Sequence, residues 1–143
     1  MNTAVAVPRR HGVIATLILL WNVLGLTMFW LQLGMSPEAV AALPAPQRAV
    51  YEATPALVNI AFGVAVVAGL LGALGLLLRR GWALPCFVLS LLAVLVQIGT
   101  TYAATPAWEA YGPAGLVMPV VLVVVGLLQI RYARNARVRG WLR

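Results

Sequence analysis

The sequence predicts an all-α fold: an integral membrane four-helix bundle with both termini cytoplasmic. Three observations carry that reading. Hydrophobic residues fill 63% of the 143 positions and charged residues only 9%, and the mean hydropathy is +0.97. A water-soluble domain cannot cover its surface with so few charges. Apolar residues also gather into four runs, about 13–33, 55–78, 82–102 and 113–130, each near the ~20 residues that a helix needs to cross a bilayer. The arginines then sort to one side of those runs.

Residues 1–12 are polar and basic, and Pro8 discourages a helix running in from the terminus. The first run is expected to stay as a helix. Ala39-Val40-Ala41 resembles a signal-peptidase motif, but an apolar run this long exceeds the roughly 7–15 residues of a signal core. Residues 34–54 form the longest connection. Ser36-Pro37-Glu38 reads as an N-cap, a first-turn proline and a first-turn acid, which predicts a short helix to about Leu43. Pro44 and Pro46 should end it, and a second short helix should follow from Gln47 to Glu52. Their apolar positions (Val40, Leu43, Val50, Tyr51) place these pieces on the membrane surface or over the bundle.

Thr54-Pro55 fits an N-cap with proline at the first helical position. From Pro55 to Leu78, 24 residues pass without a charge, about 36 Å of helix at ~1.5 Å per residue. Arg79-Arg80 stops the run. Pro85 falls in the first turn of the third run, where it is tolerated. Thr105-Pro106 repeats the start signal ahead of a short turn through Trp108-Glu109. Indeed Tyr51–Ala56 and Tyr102–Ala107 agree at five of six positions, which shared capping of one face explains without a duplication. Pro119 should bend the fourth helix. A basic tail, 131–143, follows it.

Orientation rests on arginine counts in the short connections. Arg9, Arg10, Arg79, Arg80, Arg131, Arg134, Arg137, Arg139 and Arg143 share one side, and only Arg48 lies on the other. All three carboxylates, Glu38, Glu52 and Glu109, accompany Arg48. This predicts cytoplasmic termini, an inner-membrane location, and anionic lipid headgroups as partners of the basic face. The net charge of +7 does not imply nucleic acid, because the charges sit in clusters beside apolar runs instead of along one face. His11 reads as a solvated cytoplasmic histidine.

Cys86 is the only cysteine, so the chain forms no internal disulfide. No nucleophile–base pair, metal-ligand set or phosphate-cradling loop is present; neither an enzyme nor a cofactor is expected. No ionisable residue lies inside a span, which argues against ion-coupled exchange.

Ala61, Ala65, Gly69 and Ala73 recur at four-residue intervals, with Gly72 beside them. Small residues so spaced let membrane helices approach closely, which makes the second run the packing axis for the other three. Amides within the spans should face inward, since lipid offers them no partner. Asn22, Asn59 and Gln97, with Trp30, Tyr102, Trp108, Glu109 and Tyr111 above them, form a candidate solute pocket. Amides and aromatic faces suit a neutral polyhydroxyl ligand, although Trp and Tyr also form the usual interfacial belt. So tight a bundle leaves little room for a solute, and a transport role implies a homo-oligomer.

Several segments together resemble a group of small four-span bacterial membrane proteins commonly labelled sugar transporters. They are Tyr51-Glu52-x-Thr54-Pro55, Arg79-Arg80-Gly81-Trp82-Ala83-Leu84-Pro85, Ser90-Leu91 with Val94 and Gln97, Trp108-Glu109-x-Tyr111-Gly112-Pro113, Met118-Pro119 and Gly140-Trp141-Leu142. The resemblance covers most of the chain from residue 51, whereas the first span matches only in character. It implies a bacterial inner-membrane protein of four spans and brings no catalytic or binding residue with it. The expectation is a protein that binds or passes a neutral small solute such as a sugar. The alternative is a non-transporting structural or regulatory subunit that binds a partner protein.

Overall fold

A computed structural model describes residues 5–143, all of whose regular elements are helical. Four helices are long and apolar enough to span a membrane: α1 (Arg9–Leu33), α4 (Ala56–Leu77), α5 (Ala83–Ala104) and α7 (Val117–Val138). Three short helices, α2 (Pro37–Ala41), α3 (Ala45–Ala53) and α6 (Ala107–Tyr111), cap one end, and a 3-10 turn, Pro113–Leu116, leads into α7. The protein is a multi-pass membrane protein.

The cap end follows from local chemistry. The Ser36 hydroxyl accepts from the Ala39 N–H at 3.2 Å and starts α2. The Glu38 backbone N–H, and after it the Ser36 hydroxyl, holds the Glu38 carboxyl below its ordinary range. Helix α2 ends ahead of Pro44, as expected, and Pro46 lies in the first turn of α3, where no N–H donor is needed. Val50 is buried, and α3 packs on α6. The repeated Thr-Pro pairs differ from expectation. Each threonine closes the preceding helix: Thr54 Oγ1 donates to Val50 O at 2.7 Å and Thr105 Oγ1 to Thr101 O at 2.6 Å. Neither hydroxyl caps the helix that follows, whose N-cap is the next residue, Pro55 or Pro106, without a side-chain hydrogen bond. The sequence repeat is one corner used twice.

Pro119 lies in the first turn of α7, because the preceding residues take the 3-10 turn. The interruption expected within the helix is displaced to its start. At the other end α7 carries the basic segment on to Val138, so most of those arginines ride on helix instead of a free tail.

Helix α4 packs along α5 and α1, while α7 packs chiefly on α5 and shares no extended contact with α1. The second run is thus central to two neighbours rather than three. Its small-residue ridge is the reason. Ala61, Ala65, Gly69, Gly72 and Ala73 are all buried, and a Cβ at Gly72 would stand 2.8 Å from the Phe87 ring. Lipid is as apolar as the side chains, so close packing of this kind drives the association.

The densest core lies at the arginine-rich end, where Leu76, Ala83 and Phe87 meet Ala133, Ala136, Trp141 and Leu142. Two helix ends interlock there. Helix α4 closes with Arg80 N–H on Gly75 O (2.7 Å) and Arg79 N–H on Leu76 O (3.2 Å), with Arg79 at φ 58°. Helix α7 closes with Trp141 N–H on Ala136 O (2.9 Å) and Gly140 N–H on Arg137 O (3.0 Å), with Gly140 at φ 71°. These are paired Schellman ends. The chain beyond each then pairs with the other: Gly81 N–H donates to Arg143 O (2.7 Å) and Arg143 N–H to Arg79 O (2.8 Å). Both described chain ends therefore lie at one end of the bundle.

Candidate functional site

The inward faces of the spans repeat at intervals of three and four residues, the spacing of one stripe on a helix. On α1 the stripe is His11, Ala15, Ile18, Asn22, Gly25 and Phe29, ending at Gln32. On α5 it runs Ala83, Phe87, Ser90, Val94, Gln97 and Thr101. On α7 it is Leu122, Gly126, Gln129, Ala133 and Ala136. Polar side chains on these stripes meet in the interior because lipid would leave them unsatisfied.

At mid-depth a cavity of about 80 Å³ lies among all four spans. Its polar lining is Asn22, Ser90, Gln97 and Gln129, and none of these is charged. Asn22 Nδ2 donates to Gln129 Oε1 at 3.1 Å and to Ile18 O at 2.8 Å, joining α1 to α7. A Cβ at position 69 would collide with Asn22 Oδ1, so Gly69 makes room for the amide. Ser90 Oγ donates to Ala65 O at 2.7 Å and ties α5 to α4. The volume is well below the ~300–1,000 Å³ of small-molecule pockets and suits a few waters.

Beneath the caps is a larger cavity of about 360 Å³, lined by Gln32, Gln47, Tyr51, Thr54, Thr101 and Tyr111 among others. Gln97 lines this cavity as well as the central one. Gln32 Nε2 donates to Asn59 Oδ1 at 3.0 Å and so links α1 to α4 at its edge. Hydroxyls, amides and aromatic rings converge here without a carboxylate or a cation. Such a lining offers hydrogen bonds to a neutral polar solute and nothing to offset the desolvation of an ion.

The structure brings only part of the predicted pocket together. Asn22 and Gln97 face the interior, and Tyr111 lines the cap-end cavity. Asn59 reaches that cavity through Gln32. Trp30 does not: it is 73% exposed, one residue off the α1 stripe and turned to the lipid side. Trp108 and Glu109 are exposed on α6, whose inward position is the buried Ala107. Tyr102 is half-buried beside Gly115. The helix phase of each decides its side. Gln32, Gln129, Ser90, Thr101 and Gln47 belong to the polar lining without having been assigned to it, and the three-and-four spacing was the signal for the first four.

His11 overturns its expectation outright. It is 3% exposed, with Nε2 donating to Leu76 O at 3.0 Å and Nδ1 2.8 Å from the Tyr132 hydroxyl. A carbonyl only accepts, so Nε2 carries the proton that meets Leu76 O, while Nδ1 pairs with the phenol hydroxyl. The ring also stacks on Tyr132 and meets Trp141 edge-on, each at 5.7 Å between centroids. The C-terminal residues supply the cover that the sequence near residue 11 does not reveal.

Compared with known proteins, the chain matches no protein-family model, no curated protein and no solved structure.

Proposed function

We propose that this protein binds and passes a neutral, hydrogen-bonding small solute across a membrane, with its arginine-rich end in the cytoplasm of a bacterial cell and its caps outside. The observation that carries the reading is the position of Gln97, shared by the cap-end cavity and the central one. A solute held beneath the caps meets a single amide before the interior, then Ser90 and the Asn22–Gln129 pair. Gln129 and Trp21 also border a groove that opens between α1 and α7 at the arginine-rich end, outside the column formed by the other two cavities. Sugars and polyols fit the chemistry of the first, and the resemblance to four-span proteins labelled sugar transporters points the same way. The narrow middle makes a rearrangement of α1 against α7, or a homo-oligomer, part of any complete passage.

Stopped-flow light scattering on proteoliposomes tests this with a panel of polyols and monosaccharides. Flux above that of empty liposomes is expected for at least one solute. Gln97→Leu should abolish it while leaving the helical circular dichroism intact. No flux for any solute, with an unidentified protein co-purifying, would favour a structural or regulatory subunit instead.

A further inference from the structure

We propose that the groove between α1 and α7 is a binding site for one anionic phospholipid. Because these two helices share no extended contact, a slot of about 480 Å³ remains between them. Ile14, Leu17, Ile18 and Trp21 form one wall, and Val125 and Leu128 the other. The slot ends in Arg131, Tyr132 and Asn135. Arg10 precedes the lining residue Ile14 by four positions on the same face of α1, so a second guanidinium stands at this end of the slot. An apolar channel ending in two cations and the Asn135 amide matches an acyl chain with a phosphate at its head.

Charge decides against a second copy of this chain as the occupant. Nine of the ten arginines lie at this end of the molecule, and all three carboxylate side chains, Glu38, Glu52 and Glu109, lie at the other. A symmetric pair joined through α1 and α7 would oppose two arginine clusters with no carboxylate side chain to offset them. A lipid phosphate supplies the missing anion. The site stands on these two helices alone and holds whether or not Gln97 lies on a solute path.

Trp21 gives the test its reporter. The protein is reconstituted in phosphatidylcholine vesicles containing a small fraction of acyl-brominated lipid, either phosphatidylglycerol or phosphatidylcholine. Quenching that disappears in Trp21→Phe is taken as the groove signal. Brominated phosphatidylglycerol should quench it more than brominated phosphatidylcholine at equal mole fraction. Arg131→Gln, at an exposed position, should weaken that preference about fivefold. Leu17→Phe, also exposed, should narrow the slot and lower quenching by both lipids. Equal quenching by the two headgroups overturns the proposal. So does protection of Trp21 from both lipids that is relieved as protein is diluted in the vesicles, which would mean that a second copy fills the groove.

Discussion

His11 shows how little a residue's neighbours in sequence determine its surroundings. It sits between two arginines' worth of polar chain and a glycine, yet it is sealed by Leu76, Tyr132 and Trp141. Replacing it with alanine leaves a buried carbonyl and a phenol without a partner, at about 1–3 kcal/mol. A thermal melt in detergent should fall clearly for His11→Ala and barely for Thr16→Ala, whose hydroxyl is exposed and bonds only the Gly12 carbonyl of its own helix. The position was legible in one respect: His11 lies four residues before Ala15 on the stripe that ends at Gln32. Its partners were not, since they lie 65 and 121 residues away. Trp30 fails in the opposite sense. Aromatic chemistry suggested a pocket wall, whereas its phase on α1 turns it to lipid.

At the scale of elements, the sequence carried most of the architecture. Because charge-free length and first-turn prolines are local signals, the long helices and the two cap helices lie within a few residues of expectation, except that α7 runs on from the expected 130 to Val138. What it misplaced were the junctions. Thr54 and Thr105 could cap forward or close backward, and only the path of the chain selects between them. The α4 ridge was legible since packing in lipid selects small residues by spacing alone. Its neighbours were not, because spacing does not name the helix that fills a groove. Gly72→Val should drive a branched side chain into Phe87 and cost about 1–3 kcal/mol or more. Val67→Leu, half-exposed on the lipid side of α4, should leave the unfolding midpoint nearly unchanged.

For the whole molecule, the polar interior is built from neutral groups contributed by all four spans, while charge is confined to the two ends. That separation makes orientation testable apart from function. In a background carrying Cys86→Ala, cells expressing Ala42→Cys should react with a membrane-impermeant maleimide from outside. Those expressing Arg137→Cys should react only after the membrane is opened. The reverse pattern would invert the topology and place the cap-end cavity in the cytoplasm. The full polar column escaped the sequence because it depends on which helices adjoin. Gln97 and Gln129 are 32 positions apart, and they border one cavity only because α7 packs on α5.

The interlocked ends of α4 and α7 set an order of events during synthesis. α1 emerges from the ribosome first, but His11 gains its cover only when Tyr132 and Trp141 have been made. Until then His11 Nδ1 lacks the Tyr132 hydroxyl and Arg79 O lacks the Arg143 N–H that pair with them in the finished fold. Residues 140–143 thus act as the closing step of assembly. A chain truncated after Arg139 should insert its four spans normally and then be cleared by membrane proteases, a defect visible in pulse-chase as a shortened lifetime rather than failed insertion.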